Sequence, residues 1–341
     1  MLLLLSVGVS TIYFSTRFGV QEDSVQVNTH TPFYQQENSV WIDSLLVNMS
    51  LEQKAAQLLM KHLESDDTLS IVQTEHAVFR GTIGGVLFSG FPAIQQFETT
   101  KTFQKRAPLP LLVGMEQKGQ MEDMIDLPDV WSLSAISNER TLSELGDRIG
   151  YHTHQLGAQV YFTHHKEVPL SAYNSLEKIQ SGLNNRNILT CVQFQRENEL
   201  APSILEAADS VPTVYSKLTS EGVQAMMLGS EDMSDLVDSS VVTHNKGFTQ
   251  AYFQQQIGFK GILFGRVDQS KDLTVQITNM MQGGLDVIIL ENREEEAMRI
   301  ICQLVRGNLL SESFLEQKVR KVLQAKRWAG SKDFYLQSKK E

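Results

Sequence analysis

From Trp41 to about residue 330, short apolar runs alternate with amphipathic stretches. Most of the apolar runs are continuous, which is typical of strands buried on both faces of a parallel sheet. The stretches between them, such as "FTQAYFQQQIGFKG", have helical periodicity, and Gly258 ends that helix. The predicted strands are Gln57–Lys61, Gly84–Phe88, Pro110–Met115, Ala158–Thr163, Ile188–Phe194, Val223–Leu228, Gly261–Gly265 and Leu285–Leu290.

Eight strands that alternate with helices predict a single (β/α)₈ TIM-type barrel, which typically needs about 250 residues. A doubly wound sheet is the rival fold. That fold would place a glycine-rich phosphate loop after its first strand, whereas "GTIGG" precedes a strand here. We therefore predict the barrel over residues 41–330, followed by a charged tail at residues 331–341.

The N-terminal segment "MLLLLSVGVSTIYFSTRFG" is apolar as far as about Phe14, and Arg17 is its first charge. It is shorter than the roughly 20 residues of a transmembrane helix and closer in length to a signal-peptide core. We predict a signal peptide or membrane anchor at residues 1–18 and a polar linker at residues 19–40. The chain is then exported and is either periplasmic or anchored to a membrane.

The charge balance excludes one class of partner. The chain has 30 Lys and Arg against 40 Asp and Glu, a net charge of −10, and no basic cluster that would suit nucleic acid. Cys191 and Cys302 lie far apart in apolar runs, which predicts buried thiols rather than a disulfide or a metal site. The sequence indicates no cofactor and no metal ion.

Several framework motifs resemble glycoside hydrolase family 3, in particular its single-domain β-N-acetylhexosaminidase branch. They are "WIDSLLVNMSLEQKAAQLLM", "IGGVLFSG", "PLPLLVGMEQKGQ", "HQLGAQVYFTHHKEV", "IGFKGILF", "MQGGLDVIIL" and "VRKVLQAKRWAG". The resemblance covers about residues 41–330. It implies the barrel fold, the hydrolysis of O-glycosyl bonds and a role in carbohydrate metabolism.

The positions that carry chemistry in the family are replaced in this chain. Where the family has its nucleophilic Asp, after the strand that "IGFKGILF" matches, this chain has Arg266. A guanidinium is always protonated and cannot attack an anomeric carbon. The family's Lys-His-Phe-Pro-Gly-His-Gly-Asp run and its acid/base histidine are also absent, because the matching stretch reads "ILTCVQFQRENELAPS".

Two carboxylates remain at strand ends that face the predicted cleft. Glu116 keeps a carboxylate in "EQKGQ", where the family has a sugar-binding Asp-x-Glu-Gly-Gly, and Glu167 replaces the Asp after the fourth strand. The pair would suit acid and base roles. Alternatively, either would neutralise Arg266 through an ion pair.

Asp268, two residues past Arg266, is the third catalytic candidate, because residues two apart on a strand point to the same side. Its alternative is an exposed loop acid beside Lys271. His164 follows the fourth strand and Trp131 follows "IDLPDV". The predicted substrate groove thus consists of Glu116, Trp131, His164, Glu167, Arg266 and Asp268.

We expect a non-catalytic, exported protein that binds a glycan, such as a peptidoglycan fragment, or a protein of the cell envelope. One alternative is an active β-N-acetylhexosaminidase that uses Asp268 or Glu167 as nucleophile with Glu116 as acid. Such an enzyme needs two carboxyl groups about 5 to 5.5 Å apart for retention or about 6.5 to 9.5 Å apart for inversion. A second alternative is a structural subunit of an envelope assembly.

Overall fold

A computed structural model describes residues 31–36, 39–64, 67–116, 135–163, 170–193, 211–220, 222–228, 253 and 257–340. At its centre, parallel strands form a closed barrel in which each strand pairs with its neighbours in the sequence and the last pairs with the first. The strands are β1 (Leu59–Leu63), β2 (Gly85–Ser89), β3 (Leu112–Glu116), β4 (Val160–Thr163), β5 (Leu189–Gln193), β6 (Ala225–Leu228), β7 (Ile262–Arg266) and β8 (Val287–Leu290). The predicted (β/α)₈ barrel is confirmed.

Helices surround this barrel and connect most of its strands. Their apolar faces pack on a strand layer that is buried almost throughout, which is the arrangement expected of a parallel sheet covered on both faces. The helices are α1 (Val40–Asn48), α2 (Leu51–Ala56), α3 (Thr68–Arg80), α4 (Ala93–Arg106), α5 (Glu139–Gln155), α6 (Leu170–Asn184), α7 (Val211–Ser220), α8 (Leu273–Gln282), α9 (Glu294–Arg306), α10 (Glu312–Trp328) and α11 (Ser331–Lys340).

Every predicted strand is present, but the boundaries move by one or two residues. The largest shift concerns β1, which was predicted at Gln57–Lys61 and is found at Leu59–Leu63. Gln57 keeps helical dihedral angles because it ends α2, which begins with a capping box between Ser50 and Gln53. The shift brings a histidine, His62, into the strand.

The folded unit extends beyond both ends of the predicted barrel. Phe33, within the predicted linker, is fully buried, and its N–H donates to Gln224 Oε1 at 2.9 Å. The predicted charged tail instead forms α11, whose Tyr335 is buried and donates its hydroxyl to Pro108 O at 3.2 Å. The polar composition of the tail hid a helix with one apolar face. The predicted leader at residues 1–18 lies outside the described residues.

Polar side chains close the N-terminal end of the barrel. Lys326 of α10 is buried and donates to Gln57 Oε1 at 2.6 Å, Gly84 O at 2.7 Å and Pro110 O at 2.8 Å. These three acceptors use all three donors of an ammonium group. Burial lowers the pKa of Lys326 to about 7. None of the described helices is long and apolar enough to cross a membrane.

Candidate functional site

The candidate site lies at the C-terminal ends of the strands, where (β/α)₈ barrels place their ligand-binding residues. Ser89 and Glu116 are paired in register as the last residues of β2 and β3, so their side chains point to the same side of the sheet. The Ser89 hydroxyl donates to Glu116 Oε2 at 2.6 Å. Glu116 is fully buried, so this carboxylate sits inside the barrel mouth and not on its rim.

Arg266 at the end of β7 reaches the same carboxylate from the opposite wall. Its Nη2 lies 3.3 Å from Glu116 Oε2 and 3.5 Å from Oε1. Strands β3 and β7 are not neighbours, so only a side chain that points into the barrel can span them. Arg266 keeps 27% of its side chain exposed, and its Nε is buried without a hydrogen-bond partner. The guanidinium therefore neutralises Glu116 and remains partly accessible to solvent.

A histidine completes the described part of the mouth. His62 on β1 is buried, with its Nε2 3.7 Å from Glu116 Oε2 and its Nδ1 4.0 Å from Glu291 Oε1. The neighbouring Lys61 points outwards instead and pairs with Glu294 at the start of α9, as the alternation of a strand requires. His62 thus stands between one buried and one half-exposed carboxylate.

The floor of the mouth is apolar. The rings of Phe162 and Phe264 meet edge to face with centroids 5.1 Å apart. Gly114 provides the space for this pair, because a Cβ at that position would lie 2.6 Å from the Phe162 ring. Cys191 is buried nearby, and burial, followed by the charge of Glu116, raises the pKa of its thiol well above the ordinary value. The thiol is therefore protonated and unreactive at neutral pH.

Asp268 does not join this cluster through any described contact. Its Oδ1 accepts from the Ser270 N–H at 2.9 Å and from the Ser270 hydroxyl at 2.7 Å, and Oδ2 lies 3.7 Å from Lys271 Nζ. The hydrogen bonds from the Ser270 hydroxyl and backbone lower the pKa of Asp268. The carboxylate is thus engaged within its own loop, which corresponds to the loop-acid alternative.

Of the six residues predicted for the groove, the structure brings Glu116 and Arg266 together and keeps Asp268 in local contacts. The other three, Trp131, His164 and Glu167, lie outside the described residues. Sequence reasoning missed His62 and Ser89. His62 is the second-last residue of β1, and Ser89 is the last residue of β2; both strands are buried. That position was the available signal, and the misplaced end of β1 concealed it for His62.

The described mouth is a buried, charge-balanced polar cluster on an apolar floor. Its fully buried carboxylate, Glu116, is bound by Ser89 and Arg266. Among the described residues, no three His, Cys, Asp or Glu side chains converge in a way that would hold a metal ion.

Comparison with known proteins finds similarity in structure alone. No family model matches the sequence, and no curated protein matches it significantly. A β-glucoside phosphorylase, BglX, bound to 2FGlc superposes with a TM-score of 0.71 at 15% identity, over 94% of this chain and 64% of that chain. This chain therefore spans slightly less than two thirds of that protein.

Two further solved structures are similar in the same way. A β-N-acetylhexosaminidase from Beutenbergia cavernae has a TM-score of 0.63 at 15% identity, over 82% of this chain and 98% of that chain. A glycoside hydrolase family 3 β-N-acetylglucosaminidase from Paenibacillus has a TM-score of 0.63 at 13% identity, over 83% of this chain and 63% of that chain. The chain thus shares its fold, a (β/α)₈ barrel, with these solved structures.

Proposed function

We propose that this protein is a glycosidase-like barrel that binds a saccharide at its mouth without hydrolysing it. The ion pair between Arg266 and Glu116 is the observation that carries the proposal. Arg266 stands where the resemblance places the nucleophile, and it occupies the buried carboxylate that would otherwise be available for proton transfer. Most retaining glycosidases use two carboxyl groups across the scissile bond, and here the buried carboxylate is already engaged.

The binding role is supported by what the mouth offers. Sugar sites combine an apolar surface with a few fixed polar groups. Here the buried Phe162–Phe264 pair lies close to the strand ends, and the partly exposed guanidinium of Arg266 is a polar group that solvent reaches there. The proposal extends the glycan chemistry of the structural neighbours to this chain as ligand binding only.

The rival function, hydrolysis by relocated carboxylates, has less support from the described contacts. Glu116 would have to act as acid while bound to Arg266, and Asp268 would have to leave its bonds with Ser270. Glu167, the other candidate nucleophile, is outside the described residues. Hydrolysis therefore remains the alternative that an assay has to test.

Two measurements on the same preparation test the proposal. The first is hydrolysis of 4-nitrophenyl N-acetyl-β-glucosaminide by the wild type, Asp268→Ala and Arg266→Asp. The second is binding of methyl N-acetyl-β-glucosaminide and methyl β-glucoside, measured by saturation-transfer NMR. Arg293→Ala, which removes an exposed arginine paired with Glu296, is the matched control for loss of an ion pair.

We expect no turnover by the wild type, together with sugar binding that Arg266→Ala weakens and Arg293→Ala leaves unchanged. Any hydrolysis gained by Arg266→Asp would show that the cleft still positions a sugar. Wild-type turnover that Asp268→Ala abolishes would establish the relocated enzyme instead. If neither sugar binds, the envelope-subunit alternative becomes the better hypothesis.

We further propose, from the apolar composition of residues 1–18, that the protein is exported and meets its glycan in the periplasm or at a membrane. Fractionation of cells that express the full chain, probed for the C-terminal residues, tests this placement. Recovery in the cytoplasmic fraction would contradict it.

A further inference from the structure

A cavity of about 330 Å³ opens at the opposite end of the barrel from the mouth. Its wall includes Gln57, Ile83 and Leu109, which precede strands β1, β2 and β3, and Phe79 and Arg80 from the end of α3. The five-residue strands β1 to β3 separate these positions from Glu116 and Arg266, a span of about 16 Å. The cavity is within the range of about 300–1,000 Å³ that is typical of small-molecule sites.

Two amides in the wall are held in fixed orientations. Gln57 accepts at Oε1 from Lys326 Nζ at 2.6 Å, and Gln53 accepts at Oε1 from the Ser50 N–H at 2.9 Å. In each case the oxygen is engaged by a structural donor, so the NH₂ group remains for another partner. Because both side chains line the cavity, it has two oriented donors.

Asn48, at the end of α1, provides a hydrogen-bond acceptor in the cavity wall. Its Nδ2 donates to Ser44 O at 2.7 Å, so its Oδ1 remains as an acceptor at the cavity wall. Arg80 supplies further donors, and its charge is balanced by an ion pair with Glu295. A wall that both donates and accepts, with its charge compensated, suits neutral hydroxyl groups better than an anion.

Phe79 supplies an apolar surface beside these polar groups. Its side chain is 68% exposed although it lines the cavity. An exposed ring next to oriented amides suits the C–H face of a pyranose, whose hydroxyls lie around the edge of the ring. Lining of this kind, an apolar surface with a few fixed polar groups, is typical of ligand sites.

We propose that this cavity is a second saccharide site, one that takes a single neutral pyranose ring against Phe79 with its hydroxyls on Asn48, Gln53 and Gln57. The site stands apart from the barrel mouth and does not depend on what the mouth binds. A protein with sugar sites at both ends of its barrel would hold two glycan chains, or two parts of one chain, at once.

The test is saturation-transfer NMR on the full chain with methyl β-glucoside and methyl N-acetyl-β-glucosaminide as probes. Each titration is run on Arg266→Ala and on Arg266→Ala combined with Phe79→Ala, so that the mouth is altered equally in both. Ile94→Ala in the same background is the matched control, because Ile94 is an apolar side chain with 78% exposure that does not line the cavity. Phe79 and Ile94 are both exposed, so neither change should affect folding.

We expect at least one probe to bind the Arg266→Ala protein, and Phe79→Ala to weaken that binding roughly two- to tenfold, as the loss of one aromatic contact implies. Gln53→Ala should weaken it too, whereas Ile94→Ala should not. The proposal is overturned if neither probe binds the Arg266→Ala protein. It is equally overturned if binding persists unchanged in Phe79→Ala and Gln53→Ala, or if Ile94→Ala reduces it to the same extent. These results are independent of the hydrolysis assay, so the two proposals can fail separately.

Discussion

Arg266 Nη2 lies 3.3 Å from Glu116 Oε2, across the mouth of the barrel and 150 residues apart in the chain. The two side chains come from β7 and β3, which face each other across the barrel interior. Glu116 is fully buried, whereas Arg266 remains partly exposed. The two charges are therefore stabilised unequally. The buried charge of Glu116 relies on Arg266, whereas water can still solvate the charge of Arg266.

This inequality predicts which partner matters more for stability. Arg266→Leu leaves a buried carboxylate without its cation and should lower the free energy of unfolding by about 3 kcal/mol. Glu116→Gln leaves an arginine that water still reaches, and it should cost about 1–2 kcal/mol. Urea unfolding at neutral pH, followed by circular dichroism, measures both values.

The double variant completes the cycle. Arg266→Leu with Glu116→Gln should be more stable than Arg266→Leu alone, because the unpaired buried charge is gone. Strict additivity of the two single losses would mean that the residues do not interact, and it would remove the main support for a neutralised mouth. Glu296→Ala, which breaks the exposed pair with Arg293, should have a much smaller effect than Arg266→Leu.

The barrel could be predicted from the sequence because its signal is repeated. Each strand is a short apolar run, and each connection carries helical periodicity, so an error at one boundary leaves the alternation intact. The boundary of β1 was wrong because the mostly apolar run "AAQLLM" continues from the end of α2 into β1, and apolar character alone does not separate a helix end from a strand start. That single error hid His62.

The site was less predictable than the fold because it depends on contacts between distant strands. Replacement of an expected Asp by Arg266 is visible in the sequence, but its pairing with Glu116 requires the closed barrel. Ser89 lies one residue past the predicted end of β2, so its position at a strand end was not recognised. At the C-terminal end the sequence pattern was misleading. The segment "SKDFYLQSKK" is mostly polar, yet Tyr335 and Ser338 are buried.

Asp286 should carry stability that depends on pH. It is buried just before β8, accepts from the Leu263 N–H at 2.9 Å, and pairs with Lys318 at 2.9 Å and Lys321 at 2.6 Å. Burial alone would raise its pKa, but the two ammonium groups outweigh burial and lower it. A lowered folded-state pKa means that the contribution is present above the unfolded value of about 3.9 and is lost as pH falls through the folded value.

Asp286→Asn should therefore cost about 3–5 kcal/mol at pH 7, because it leaves two partly buried ammonium groups without their anion. The difference from the wild type should shrink at pH values below about 4, where the wild-type carboxyl is protonated in the unfolded state and then in the folded state. Urea unfolding across this range tests both statements. A difference that stays constant with pH would show that Asp286 acts through its backbone contact alone.

Lys326 should give a pH dependence of the same sign as that of Asp286, but at higher pH. Burial lowers its folded-state pKa to about 7, against about 10.4 when unfolded. Between these values the unfolded state holds the proton and the folded state does not, so stability rises with pH by up to about 1.4 kcal/mol per unit. The rise should be missing in Lys326→Met and present in Lys260→Met, which removes an exposed lysine. Equal slopes in the wild type and Lys326→Met between pH 7 and 10 would show that Lys326 does not titrate there.

Helices α5 and α6 approach closely, so we expect alanine substitutions at two glycines of α5 to differ in their effect on stability. A Cβ at Gly146 would lie 1.9 Å from the carbonyl oxygen of Ile179, a backbone atom that cannot move without shifting α6. A Cβ at Gly150, one turn later, would meet Arg186 Cβ and Cγ at 3.0 Å and Leu183 Cα at 3.4 Å, contacts that a shift of a few tenths of an ångström relieves. Alanine gains about 1 kcal/mol of helix propensity at either position. Gly146→Ala should nevertheless lower stability by about 1–3 kcal/mol through overpacking, whereas Gly150→Ala should be close to neutral. Thermal and urea unfolding of the two variants measure this contrast, and equal stability would mean that the helices can separate without loss.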